Sequence, residues 1–207
     1  SYIERFAHCF DTEEIVVFDT ETTGLNVFED DIVQIAAVKM RAGCVVEGSA
    51  FNVFIKTERP IPAMLGDIPN PIVAELQRNT CLPAAQALQS FMQYVGNSML
   101  LAHNADFDYN ILRFNLQRYC PSIDLHATHP TYFDSLKIIR LLQPGLKQYK
   151  LKALLEVLHL EGTNSHLADE DVQATVSLVG YCRQKAAEMI PAQQQFLARQ
   201  RVQHCAA

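Results

Sequence analysis

The sequence predicts an α/β fold, helices packed around a mixed β-sheet, on three observations. Residues 15–18 (Ile-Val-Val-Phe) form a continuous apolar run, the mark of a strand buried on both faces. Two more strand patterns follow over residues 32–40 and 51–55, with Ala42-Gly43 where the chain turns between them. Beyond a proline-rich segment the apolar period then becomes helical, alternating with short apolar strands.

Residues 60–71 hold four of the nine prolines and so predict an irregular loop. Leu88, Phe91, Met92 and Val95 then share one helical face, ahead of a short strand over residues 99–102. A helix with Phe107, Ile111 and Phe114 in register starts behind Asn104, read as its N-cap. Leu151, Leu154, Leu155 and Leu158 make another amphipathic helix, and Val172, Val176 and Val179 the last core helix. No repeat or linker divides the chain. The expectation is one domain over residues 1–190 and a Gln-rich extension over 191–207, either a frayed helix or a connection to a further domain. Ser1 in place of Met suggests a piece excised from a longer protein.

Composition narrows the class. At 49% hydrophobic and 19% charged, the 207 residues can bury a core and do not read as disordered. No apolar stretch approaches the ~18 residues of a membrane span and no signal-peptide pattern opens the chain, which predicts a soluble, cytoplasmic protein without a membrane partner. Six cysteines without a C-x-x-C pair predict reduced, mostly buried thiols, not a disulfide framework or a zinc site. The net charge of −6 argues against a protein that coats nucleic acid with a basic face. That inference fails if the acids are gathered around cations.

Three segments suggest such gathering. Asp19 and Glu21 sit two apart at the end of the first buried strand, so both project from one face. Carboxylates that close repel unless a cation lies between them, and hard ions such as Mg²⁺ or Mn²⁺ suit oxygen ligands. By itself the pair could equally be a polar strand end. In residues 101–108 a strand leads into a helix whose first turn carries Asp106 and Asp108. Asp106 reads as a dipole-complementing acid. Within the same segment His103 is either a loop histidine satisfying the backbone or a phosphate contact. Lastly, His166 precedes Asp171 by five positions, a rotation of roughly 140° on a helix. The two converge only if His166 lies in a loop and Asp171 in the first turns, with Asp169 and Glu170 again serving the dipole.

Taken together, Asp19, Glu21, Asp108 and Asp171 with His166 are what a two-metal phosphodiester hydrolase requires: paired ions and a histidine to take the proton of the attacking water. These acids also account for four of the six excess negative charges.

The segments Phe18-Asp19-Thr20-Glu21-Thr22-Thr23-Gly24-Leu25, His103-Asn104-Ala105-Asp106-Phe107-Asp108 and His166-x4-Asp171 resemble the three motifs of the DEDDh exonuclease family, which includes the proofreading epsilon subunit of bacterial replicative DNA polymerase. The likeness spans residues 15–179, and Tyr149-Lys150-Leu151-Lys152-Ala153-Leu154 matches the helix before the third motif. The resemblance implies a ribonuclease-H-like, five-stranded mixed sheet and 3′→5′ release of nucleoside 5′-monophosphates. It implies that Asp19 bridges two divalent cations, Mg²⁺ or Mn²⁺, that Glu21 and Asp171 complete the first site, that Asp108 serves the second, and that His166 is the general base. It further implies that Thr22, Thr23, Gly24 and Leu25 line the 3′-terminal nucleotide, with His103, Asn104 and Phe107 bordering the strand.

The expected substrate is a single-stranded or frayed DNA 3′ end in proofreading or repair, beside a polymerase, a helicase or a covalently linked domain. The alternatives are RNA 3′-end trimming and a catalytically silent binding or scaffold domain. Residues 66–71 depart from the His-Gly-Ile segment frequent in the family, which bears on substrate preference. A faint likeness of residues 193–197 to a sliding-clamp peptide completes the reading.

Overall fold

The computed structural model describes residues 1–205; the side chains of residue 193, of 196–198 and of 200 onward lie outside what it describes. The chain opens with helix α1 (Tyr2–Thr12), which buries Ile3, Phe6, Ala7 and Phe10 and is closed by a capping box between Ser1 and Glu4. Strands β1 (Glu14–Thr22), β2 (Ile32–Arg41), β3 (Cys44–Val45) and β4 (Phe51–Ile55) follow. The proline-rich loop carries a small hairpin, β5 (Met64–Leu65) with β6 (Ile68–Pro69), where irregular chain was expected. Asn70 and Pro71 then start helix α2 (Pro71–Arg78) as N-cap and first residue, the placement in which proline forfeits no helical bond.

Next come β7 (Cys81–Leu82), α3 (Ala84–Val95), β8 (Met99–Ala102), α4 (Ala105–Tyr119), α5 (Leu125–Thr128), β9 (Phe133–Asp134), α6 (Ser135–Leu142), α7 (Leu151–Val157) and α8 (Ala168–Cys205). Among the described residues the main sheet has seven strands in the order β7-β4-β2-β1-β8-β9, with β3 paired to β2. The sheet is larger than the five strands expected: β1, β2, β4 and β8 match the strand patterns of the sequence, and the two-residue β3, β7 and β9 add to them. Strand β2 pairs antiparallel with β1 and with β4, whereas β8 joins β1, β9 joins β8 and β7 joins β4 in parallel.

Each face of the sheet carries its own core. Ile15 and Val17 of β1, with Ala36, Val38 and Met40 of β2, pack under α1, α6, α7 and α8. Val16 and Phe18, with Ile32, Ile35 and Ala37, pack under α3 and α4. The period-2 alternation of β1 therefore assigns its odd residues to the α8 side and its even residues to the α4 side.

Helix α4 differs from expectation in how it starts and what it buries. Asn104 precedes it with φ 62° and ψ 52° and makes no side-chain cap. The sharp turn from β8 requires a left-handed residue, which asparagine tolerates better than most. Phe114 packs on exposed Phe28 at 4.6 Å, and the inward face joins the expected Ile111 with Tyr109, Leu112 and Leu116.

The five described cysteines are unpaired, and only Cys9 and Cys182 are buried. No helix among the described residues is long and apolar enough to cross a membrane. The boundary expected after residue 190 falls beside Pro191, inside α8, and the 193–197 stretch lies largely outside the described side chains.

Candidate active site

On β1, Asp19 and Glu21 continue the row of Ile15 and Val17 and so face α8. Their cross-strand partners on β2 are Ala36 and Gln34, and the register slips between Glu21 and Thr22, ending the regular ladder beside the two acids. Asp171 arrives from the first turn of α8. The carboxylate oxygens of Asp19, Glu21 and Asp171 lie within 4.8 Å of one another. The site sits where the parallel strands β1 and β8 end, the usual ligand position in an open α/β sheet.

Gln34 holds α8 at this place. Its carboxamide, 0% exposed, accepts the N–H of Ala168 at 3.0 Å and donates to Asn52 at 3.0 Å and Asp169 at 3.2 Å. The first helical N–H, which has no partner within the helix, is thus satisfied by the strand opposite Glu21. The sequence carried a signal for this role: Gln34 is the lone polar residue in the apolar run from Ile32 to Val38.

Asp108 reaches the same point from the other side of the sheet. Thr20, between the two strand acids and facing α4, donates to Asp108 Oδ1 from its N–H at 3.1 Å and its hydroxyl at 2.6 Å. These bonds select Asp108 over Asp106, which instead accepts from the exposed Tyr132 hydroxyl.

The four acids are kept from ionising freely. Burial, then the charges of Asp108, Glu21 and Asp171, hold the Asp19 carboxyl well above the carboxylate range. Burial, reinforced by Asp171 and Asp108, pushes Glu21 up to about 9. Asp108 rises to about 7 by burial despite its bonds from Thr20. Burial likewise takes Asp171 to about 7 against the N–H of Ser165, which it accepts at 3.1 Å. Asp19 Oδ2 is buried with no hydrogen-bond partner among the described residues. A buried acceptor without a donor, among oxygen-only ligands, fits a hard divalent cation.

His166 lies in the loop before α8, as the convergence argument required, but exposed and outside the carboxylate group. Its φ of 58° places it in the left-handed region, sparsely populated by residues with a Cβ.

The expected substrate contacts divide into framework and surface. The hydroxyl of Thr22 donates to the Gly24 carbonyl at 2.7 Å and that of Thr23 to Asp30 at 2.8 Å, so both build the turn after β1. Gly24 has no alternative there, since a Cβ would stand 2.5 Å from Asp30 Oδ2. At the tip of this turn Leu25 is 85% exposed. Phe107 is half-buried against the α4-side core, and Asn104 is exposed with its N–H on Asp134 at 2.9 Å.

His103 faces inward, its ring nitrogens 2.8 Å from the Ser135 hydroxyl and 2.8 Å from the Tyr149 carbonyl. Burial pushes its pKa down, which favours the neutral ring. A carbonyl can only accept, so Nε2 carries the proton and Nδ1 accepts from Ser135. Of the two roles open for His103, the geometry is that of the loop histidine. Beside the acids opens a cleft of about 510 Å³ lined by Asp19, Asp171, Arg140, Lys147 and Lys150, basic residues that motif reading passed over because they come from two separate segments.

Comparison with known proteins gives this geometry its family. The profile described as Exonuclease (RNase_T) matches residues 16–179. DNA polymerase III PolC-type of Latilactobacillus sakei is 33% identical over 181 residues, and that of Bacillus subtilis 30% over 176. The matched segments cover 86% and 85% of this chain but 12% of each relative. Among solved structures, E. coli exonuclease I in complex with a dT13 oligonucleotide aligns with a TM-score of 0.67 at 21% identity, over 87% of this chain and 43% of that one. Exonuclease X in complex with 5′ overhanging duplex DNA aligns at 0.58 and 24%, over 84% and 93%. These two likenesses show the ribonuclease-H-like fold. With all five DEDDh residues in order within the matched span, the chain belongs to the Exonuclease family.

Proposed function

We propose that this domain shortens single-stranded or frayed DNA from its 3′ end, releasing nucleoside 5′-monophosphates, with two divalent cations, Mg²⁺ or Mn²⁺, as cofactors. The observation that carries the reading is the convergence of Asp19, Glu21 and Asp171 within 4.8 Å, around a buried carboxylate oxygen that lacks a donor. When bound, the cations would neutralise these acids and polarise the scissile phosphate. Asp19 would bridge them, Glu21 and Asp171 would complete one site, and Asp108, oriented by Thr20, would serve the other.

His166 takes the proton of the attacking water at its imidazole. Its loop is anchored to Asp171 through Ser165, which sets an imidazole at the rim of the carboxylate centre. The Thr22–Leu25 turn receives the terminal nucleotide, its exposed Leu25 against the base. A cleft that takes one unpaired nucleotide favours mismatched or single-stranded ends, because unstacking costs a few kcal/mol per base pair. A proofreading role within or beside a polymerase is supported by the PolC-type relatives, of which this segment would be one part.

The test is digestion of 5′-labelled single-stranded DNA, matched and mismatched duplexes, and RNA of the same sequence, with Mg²⁺, with Mn²⁺ and in EDTA. We expect 3′-shortening of single-stranded and mismatched DNA that stops in EDTA. Undiminished cleavage in EDTA overturns the metal assignment. Faster digestion of RNA than of DNA overturns the substrate.

A further inference from the structure

The exonuclease reading leaves the basic side of the cleft unassigned. Arg140, Lys147 and Lys150 line it within the same 510 Å³ space as Asp19 and Asp171. Among the described residues none of the three forms a salt bridge, and, unlike Lys56, Arg113 and Lys152, which also form none, they gather in one cleft beside the acids. In a chain with net charge −6, three unpaired cations beside four acids call for an anionic ligand.

The loop that presents them is built in advance. The Tyr149 hydroxyl donates to the Gln143 carbonyl at 2.8 Å and accepts the Leu146 N–H at 3.3 Å, closing residues 143–149 on themselves. The Tyr149 carbonyl is fastened to His103 at 2.8 Å, and the Arg140 guanidinium lies 5.4 Å from the centre of the Tyr149 ring. With the backbone tied at both ends, the exposed Lys147 and Lys150 flank a fixed point. A ligand held there meets little ordering cost from the loop itself.

Resting on the exonuclease reading, we propose that Lys147 and Lys150, with Arg140 behind them, grip the phosphodiester backbone of the single strand as it leaves the carboxylate centre. His103 is the positioning residue that locks their loop to the strand end. Lysines on one loop meet phosphates as point charges that read no base. This gives an acidic protein a local basic track, and it makes binding depend on salt through released counterions.

The test is binding of a fluorescein-labelled dT12 oligonucleotide, followed by anisotropy in EDTA across a salt series, for the wild type and for Lys147→Gln combined with Lys150→Gln. Lys152→Gln, exposed on α7 and outside the cleft, is the control. The double variant should bind about tenfold more weakly at low salt, and the slope of log Kd against log [salt] should fall by about 1.4, two single-strand phosphate contacts at about 0.7 each. Lys152→Gln should match the wild type.

A double variant with wild-type affinity and slope overturns the proposal, even if the wild type digests DNA. A wild type that does not bind the oligonucleotide also overturns it. Salt-dependent binding lost in the double variant, by a wild type that digests nothing, supports the track and removes the exonuclease reading instead.

Discussion

Two groups of acids flank the turn after β1, and the protein treats them in opposite ways. Asp30 and Asp31 are 9% and 5% exposed. Asp30 accepts the Thr23 hydroxyl at 2.8 Å and the Asn26 N–H at 2.9 Å. Asp31 accepts from Thr57 at 2.7 Å, Tyr119 at 2.8 Å and Arg118 at 2.9 Å. Burial pushes the Asp31 carboxyl up, but those three bonds outweigh it and its pKa ends below the ordinary value. At the centre formed by Asp19, Glu21, Asp108 and Asp171 burial weighs more heavily and goes unopposed or under-opposed, and all four are raised. Burial and the supply of donors together separate them: the first group fastens the turn that carries Leu25, and the second holds a repulsion that a cation would relieve.

The widest separation should come from removing one acid of each kind. Asp19→Asn is expected to reduce hydrolysis to background while leaving the metal-free fold as stable as before, or up to about 1–2 kcal/mol more stable, because a repelling carboxylate is gone. Asp31→Asn strips the charge partner from Arg118 and should cost about 2–4 kcal/mol of stability, the low side of the range for a broken buried pair because Arg118 is partly exposed. Rates and thermal melts of the two variants measured side by side decide the matter. Equal destabilisation by both would erase the distinction.

His166 sharpens the comparison, since it stands outside both acid groups. His166→Ala should lose about 10²–10⁴-fold in kcat while titrating Mg²⁺ as the wild type does. A wild-type rate would take the imidazole out of the mechanism.

The smallest effect is on stability against pH. A carboxyl whose folded pKa is raised contributes stability that is complete below its unfolded pKa, near 4, and is lost as pH rises through the folded value. Those folded values are about 7 for Asp108 and Asp171 and about 9 for Glu21. The metal-free protein should accordingly lose stability from this centre as pH climbs from about 5 to 9. Asp31, with its lowered pKa, works in the opposite sense and weakens the fold only as pH falls into the acid range. Adding Mg²⁺ at about a hundred times its Kd should return about 2.7 kcal/mol at the alkaline end. Melting temperatures from pH 5 to 9, with Mg²⁺ and with EDTA, check this, and a flat EDTA profile would contradict it.

Much of the scaffold was legible residue by residue. The run at 15–18 lies within β1, residues 51–55 and 99–102 are β4 and β8, and the leucines at 151, 154 and 155 are the buried face of α7. Helices α1 and α2 went unread although Ser1–Glu4 and Asn70-Pro71 mark their starts. Short helices draw their stability from what they pack against, and that partner is not in the local pattern. The strand reading missed β3, β7 and β9 because a two-residue strand exists only through its neighbour.

By itself, then, the order of residues determined the local facts: the doubly buried β1, the shared face of Asp19 and Glu21, and the first-turn placement of Asp108. Strand alternation and helix chirality act between near neighbours, so spacing suffices to read them. Only the tertiary structure decided who satisfies whom. It turned His103 from the strand toward Ser135 and Tyr149, 32 and 46 residues away, set Gln34 on the start of α8 across 134 residues, and left Asp19 Oδ2 without a donor while Asp31 received three. A hydrogen bond forms or fails within a few tenths of an ångström, and that distance is fixed by packing between segments remote in the chain.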